Sequence, residues 1–402
     1  MSWLKNLKRE FKGLGHLVHP RAERRASSGL AARFGRGPAS ISAGVKDIST
    51  SGIYLFTEKR LPTGEPITLT LQQEGNPELS SELQFSVHAR VARQGEDGVG
   101  LSFVLPPGMH EALWEMLVRN IVLLTDKDEV AQMFRTLRTF LFMSRICGSE
   151  AEEAIVLLGG VLDSDRTENL IKIALDTENL LASEPDVDRL RAHPRFVANI
   201  LREGSWALDD LTRQLWIGLL ASSCSVDAPD DSNQVFVDLL VHVTPVQARI
   251  LSHACERAIG SAPGAEKSLG GSIVLNAEEL IELTSMHDLT RNATDMAYLF
   301  NLGLIQKLYD FTSYLPAERF DITPSSLGLE LYKHCHGSRE KVEPHLVEAA
   351  NAHLLNFLPL PQPIVPGPTF LDSQTPSSPL SSSGSYSDSQ GIQTGSDAFK
   401  PS

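Results

Sequence analysis

No run of apolar residues in this 402-residue chain approaches the ~20 needed to cross a bilayer, and the first residues lack the apolar core of a secretory signal. The expectation is a protein neither integral to a membrane nor secreted. Cysteine is scarce. Cys147, Cys224, Cys255 and Cys335 stand far apart without a CxxC or CxxH pair, which excludes a zinc knuckle and reads as reduced core thiols of a cytoplasmic protein. The signatures of catalysis are missing too: the dispersed His193, His242, His253 and His287 form no HExxH or HxH pair, no GxxxxGK[ST] follows the Gly-rich stretch Gly159 to Asp165, no EF-hand loop is completed, and no Gly-x-Ser-x-Gly elbow occurs. Lys333-His334-Cys335-His336 gathers metal-ligand types, but neighbours on a helix point to different faces, so it reads as a plain helix end. No period repeats, which argues against a solenoid. The chain is therefore expected to have no metal, no resident cofactor and no enzymatic activity.

What is present is 42% apolar and 21% charged residues with a formal net charge of −14. At roughly 100 to 200 residues per domain, the length suggests two or three domains. The charge is split unevenly. Residues 1–46 carry ten Lys/Arg against two Asp/Glu, so a head of +8 precedes a body of −22, and an anion is expected to be met at the N-terminal end. Within that head, Trp3, Leu4, Leu7, Phe11 and Leu14 recur at helical spacing with Lys5, Lys8, Arg9 and Lys12 on other faces. This is a short basic amphipathic helix over residues 3–17, suited to peripheral contact with the inner membrane or to packing on protein.

From about Ala39 to Val104 the texture becomes short β-prone runs: Ser40 to Ile48, Gly52 to Phe56, Pro66 to Leu71, Phe85 to Arg93 and Val99 to Val104, separated by turn residues. Ile67, Leu69 and Leu71 alternate with Thr68 and Thr70, the period of a strand with one buried face. Many short strands with close turns suggest a small antiparallel barrel, followed after Pro106-Pro107-Gly108 by a helix with Leu113, Trp114, Leu117, Ile121 and Leu124 on one stripe. The Gly- and Ser-rich stretch Ala26 to Pro38 gives no clear strand. Beyond Asp126 the pattern is helical, with stripes such as Met133, Leu137, Phe140, Leu141 and Leu215, Trp216, Leu219, Leu220. Residues 276–336 have the order helix, helix, short strand, turn, strand, helix, like a winged helix. Their four Lys/Arg against nine Asp/Glu argue against DNA. After Leu358 a Pro/Ser/Gly-rich segment is expected to be disordered. The fold class expected is thus multidomain α+β: residues 1–19 the basic helix, 20–125 the barrel with its C-terminal helix, 126–357 the helical domain with a winged-helix-like end, and 358–402 the tail.

Two short motifs carry the chemistry. Arg21-Ala-Glu-Arg-Arg25 is RxxxR, and Asp47-Ile-Ser49-Thr-Ser-Gly52 is DxSxxG. With Gly98-Val-Gly100-Leu-Ser-Phe103 they resemble the PilZ domain, a bacterial receptor for the second messenger cyclic di-GMP, over about residues 20 to 120. The residue types suit that ligand. A guanine edge offers the O6 and N7 acceptor pair that a planar guanidinium binds bidentately, and the same group pairs with phosphate oxygens. The resemblance implies Arg21 and Arg25 as clamps on guanine and phosphate, Asp47 as acceptor for the guanine N1 and N2 donors, Ser49 as a hydroxyl donor, and Gly52 as the point where backbone turns and approaches the ligand. Arg24, beside Arg25, is an alternative register for the second clamp. Arg33, Arg36 and Arg90 are further basic candidates.

From Leu201 onward the chain resembles the Abi-alpha type of domain, named for abortive-infection proteins. The residues that carry this are Leu215-Trp-Ile-Gly-Leu-Leu-Ala-Ser222, Phe236-Val-Asp-Leu-Leu240, Thr244-Pro-Val-Gln-Ala-Arg-Ile-Leu251, Asn301-Leu-Gly-Leu-Ile305 and Ile322-Thr-Pro-Ser-Ser-Leu-Gly-Leu-Glu-Leu331. The expected function is a cytoplasmic cyclic di-GMP receptor that couples ligand binding to protein docking or self-association through the helical domain. The alternatives are a scaffold whose barrel binds no nucleotide and a peripheral membrane-surface adaptor.

Overall fold

The structure is a computed structural model that describes residues 25–26, 30–35, 40–73, 84–109, 114–115, 118, 127–158, 166–226, 232–260, 272–306 and 319–357. The basic helix expected over 3–17, most of the helix after Gly108, the stretch Gly159 to Asp165 and the segment after Leu358 lie outside them.

Seven strands come first: β1 (Arg25–Ala26), β2 (Leu30–Phe34), β3 (Ile41–Ile48), β4 (Gly52–Phe56), β5 (Pro66–Gln73), β6 (Gln84–Gln94) and β7 (Gly98–Val104). All pair antiparallel, in the order β3-β2-β5-β6-β7-β4, and β4 pairs back onto β3. Six strands thus close a barrel without an exposed hydrogen-bonding edge. The alternation read in the sequence fills it: Leu69 and Leu71, Phe85, Val87, Ala89 and Val91, Ile53 and Leu55, and Val99 and Leu101 are all buried.

A strand forms in the Gly- and Ser-rich stretch where none was read. Residues Leu30–Phe34 pair with both β3 and β5, and Leu30, Ala32 and Phe34 are buried. The two-residue β1 lies on the same side of β3 as β2, opposing Arg25 to Ile48 and Ala26 to Asp47.

The rest is helical: α1 (Lys127–Cys147), α2 (Ala151–Leu157), α3 (Thr167–Leu181), α4 (Pro194–Gly204), α5 (Asp210–Ser222), α6 (Gln234–Val241), α7 (Pro245–Gly260), α8 (Ala277–Thr284), α9 (Leu289–Asn301), α10 (Ser326–His334) and α11 (Pro344–Phe357). The stripes read in the sequence face inward, with Met133, Leu137 and Phe140 of α1 and Leu219 and Leu220 of α5 almost fully buried. Asn276 caps α8 reciprocally with Glu279, which fixes where that helix starts. Near the end, β8 (Val274–Asn276) precedes α8 and pairs with β9 (Arg319–Asp321), while the strand expected after α9 is reduced to a single bridge, Ile305 with Pro324.

Barrel and helices share one apolar core. Phe85 of β6 meets Phe134 of α1 edge to face, with ring centres 5.3 Å apart, and meets Trp114 at 6.4 Å.

No group of His, Cys, Asp and Glu among the described residues is arranged to hold a metal. In the Lys333-His334-Cys335-His336 run, His334 is buried against Phe236, whereas His336 stacks on Tyr332 at 3.9 Å, so the two rings point apart. Desolvation lowers the His334 pKa, favouring the neutral ring.

All four cysteines are free and buried, and burial pushes the thiols of Cys147, Cys224 and Cys255 up to about 12 and that of Cys335 higher still. The thiolate is the reactive form, so the folded protein is expected to resist a thiol reagent at pH 8 and to release all four thiols on denaturation. Rapid labelling of a native thiol would contradict this packing.

Candidate functional site on the outer face of the barrel

The DxSxxG segment folds into the hairpin between β3 and β4. The Ser49 amide donates to the Gly52 carbonyl at 2.8 Å and the Gly52 amide returns to Ser49 at 3.4 Å, closing a two-residue loop. The Ser49 hydroxyl donates to the Gly52 carbonyl at 3.2 Å and lies 3.3 Å from the Ser51 hydroxyl, so in this structure it holds the turn. Gly52 has no left-handed φ. Its need for glycine comes from β7: a Cβ there would sit 2.1 Å from the Leu101 carbonyl oxygen. Gly52→Ala should therefore force β4 and β7 apart and cost about 1–3 kcal/mol, as overpacking does. Ser49→Ala removes one hydrogen bond and should cost about 1 kcal/mol. Denaturant unfolding of the two variants checks the order, and equal losses would contradict the close approach.

Residues two apart on a strand share a face, and strand pairing lines them up. On the outer face, Asp47 pairs with Tyr54, Tyr54 with Gly100, and Gly100 with Arg93, forming one row across β3, β4, β7 and β6. The next row runs Gly52, Ser102, Arg90. The GxGxS part of Gly98-Val-Gly100-Leu-Ser102 thus points Val99 and Leu101 into the barrel and leaves two glycines and a serine outside. The Asp47 carboxylate is half-buried and has no hydrogen-bond or ion-pair partner among the described residues.

At one end of the rows a cluster fixes this face. The Lys46 ammonium binds Asp97 Oδ2 at 2.6 Å, and the Tyr54 hydroxyl donates to Asp97 Oδ1 at 2.8 Å. Lys46 also lies 5.1 Å from the centre of the Tyr54 ring and 5.3 Å from that of Phe56. The hydrogen bonds from Lys46 and Tyr54 hold the Asp97 carboxyl below the usual carboxylate range, and the same bonds raise Lys46 and Tyr54.

Of the residues singled out from sequence, Asp47, Ser49 and Gly52 lie together on the β3–β4 hairpin, and Arg90 is exposed on the same outer face, opposite Ser102. The backbone of Arg25 runs beside them, one register position from Asp47. Arg33 is exposed on β2, paired with Ser42 and Thr70 and away from the hairpin. Arg21, Arg24 and Arg36 lie outside the described residues. The sequence reading missed Lys46, Tyr54, Arg93 and Asp97. It also missed the tie from the hairpin to the segment after the barrel, where Trp114 Nε1 donates to the Thr50 carbonyl at 2.8 Å. Period two on β4 and β7 was the available signal for the outer face.

The chain is thus a six-stranded closed antiparallel barrel, with a DxSxxG hairpin on its rim, that leads into a mostly helical body. Residues 19–121 match the family model of the PilZ domain, and residues 165–335 match that of Abortive infection alpha. The first match supports a cyclic di-GMP-binding effector in general, and both families are binding or regulatory rather than catalytic. No curated protein matches. Among solved structures, the chain is similar to the inhibitor of motility MotI/DgrA of Bacillus subtilis, with 14% identity over 26% of this chain and 53% of that one, and a TM-score of 0.20. This chain spans about half the length of that protein. It is also similar to the Legionella uncharacterized protein Lpg0364, with 16% identity over 29% of this chain and 89% of that one, and a TM-score of 0.16. No helix among the described residues is long and apolar enough to cross a membrane.

Proposed function

We propose that the protein is a cytoplasmic receptor in which the barrel (residues 20–125) binds cyclic di-GMP and the helical domain (126–357) docks a protein partner or a second copy in response. The observation that carries this reading is the half-buried Asp47, whose carboxylate has no partner among the described side chains, on a hairpin beside the β1 backbone and within a segment matched by the PilZ model. A carboxylate with Arg90 and Arg93 exposed on the same outer face accepts N–H donors of a guanine, and it repels phosphate from that spot. The arginines Arg21 and Arg25 supply the opposite charge. Selectivity and affinity then come from different residues.

Support for coupling comes from a continuous contact path. The hairpin carbonyl of Thr50 is held by Trp114, whose ring meets Phe85 and Phe103 edge to face, and Phe85 meets Phe134 on α1. A change at the hairpin therefore reaches the helical body through packed rings, and the shift it drives is bounded by the ligand's preference for one arrangement over the other.

Calorimetry on the full chain with Arg21 and Arg25 both replaced by alanine tests the assignment. The heat of cyclic di-GMP binding should disappear at micromolar protein. Unaltered binding by the double variant would overturn the reading.

A further inference from the structure

Arg93 ends the row of four strands that Asp47 begins, with β4 and β7 between them, and its side chain lies over Gly100, which has none. A Cβ on Gly100 would come 2.9 Å from Arg93 Cγ and 3.1 Å from its Nε. The guanidinium ends 5.7 Å from the centre of the Tyr54 ring, a cation–π contact that aims it along the row toward β3. Of the two cations at this ring, Lys46 is neutralised by Asp97, while Arg93 is exposed and has no carboxylate partner among the described residues. Among the described residues the face therefore holds one anion and one oriented cation without an ion-pair partner, with Tyr54 and Gly100 on the strands between them.

We infer that Arg93 is a further ligand-binding residue that takes the O6/N7 edge of the guanine whose N1/N2 edge Asp47 takes. This rests on the cyclic di-GMP reading above. Guanine presents donors on one edge and an acceptor pair on another, so a carboxylate and a planar guanidinium facing each other across one purine bind the same base from two edges. Adenine offers an N6 donor where guanine has O6, and a guanidinium rejects it. Arg93 thus adds selectivity from the opposite side of the base to that read by Asp47. The glycine at position 100 is explained by the path of this side chain, not by backbone conformation.

The test is a titration of the full chain, its Arg93→Ala variant and its Arg93→Lys variant with cyclic di-GMP and with the analogue in which both guanine N7 atoms are replaced by C–H. The unaltered protein should bind the analogue more weakly than cyclic di-GMP by up to roughly tenfold, because one acceptor of the O6/N7 pair is lost. Arg93→Ala should lose about as much toward cyclic di-GMP, and Arg93→Lys should recover only a minor part of it, because the ammonium keeps the charge without the fork. The decisive result is that Arg93→Ala distinguishes the two ligands clearly less than the unaltered protein does, what remains being the guanine contact assigned to Arg21 and Arg25. If Arg93→Ala binds cyclic di-GMP normally, or still discriminates the analogue as the unaltered protein does, the inference falls while the receptor reading stands. Absence of binding by the unaltered protein would remove both.

Discussion

Asp47→Ala is expected to weaken cyclic di-GMP binding by roughly tenfold to a hundredfold, the range of one lost bidentate base contact. The fold should be untouched, because the carboxylate makes no hydrogen bond or ion pair to a described residue. That combination separates a binding role from a structural one: a turn-building aspartate would lower stability, and this one should leave the unfolding midpoint in place. Asp47→Asn should fall between, since an amide keeps one acceptor oxygen and adds a donor facing the guanine donors. Titration calorimetry and thermal unfolding on the same preparations read the two quantities. A fall in stability without a change in affinity would identify Asp47 as part of the hairpin alone.

Trp114→Ala should be the most destabilising change near the site, by about 3–5 kcal/mol. The side chain is 1% exposed, packs edge to face against Phe85 and Phe103, and satisfies the Thr50 carbonyl. Its milder counterpart, Trp114→Phe, keeps a ring in the cluster and removes the hydrogen bond to the hairpin, worth about 1 kcal/mol. If the rings transmit the ligand signal, cyclic di-GMP should change amide hydrogen exchange in α1 of the unaltered protein. In Trp114→Phe that response should shrink even though ligand still binds. An α1 response of unchanged size in Trp114→Phe would remove this hydrogen bond from the route.

Much of the barrel could be read from sequence because its strands alternate strongly. Leu69 and Leu71 on β5, and Val87, Ala89 and Val91 on β6, point inward in every pair they make. The strand at Leu30–Phe34 escaped notice for a physical reason. Two of its five residues are alanines in a Gly- and Ser-rich setting, and it exists because β3 and β5 supply partners far away in sequence. The helical stripes were legible at period 3.6, whereas the strand Val274–Asn276 is three residues long and depends on Arg319–Asp321. At the site, the motif residues Asp47, Ser49 and Gly52 could be picked out, but Gly52 turned out to be required by the Leu101 carbonyl across the strands. Arg93 could not be found from a motif. Its neighbours Tyr54 and Gly100 come from other strands, and only the register brings them together.

The central claim is that one face of a small barrel distinguishes a guanine-bearing cyclic dinucleotide from its adenine relative. Calorimetric titration of the full chain with cyclic di-GMP and cyclic di-AMP in parallel tests it most directly. The account predicts saturable heat with the first and none with the second at the same concentrations. Equal heats with both, or none with either, would contradict it.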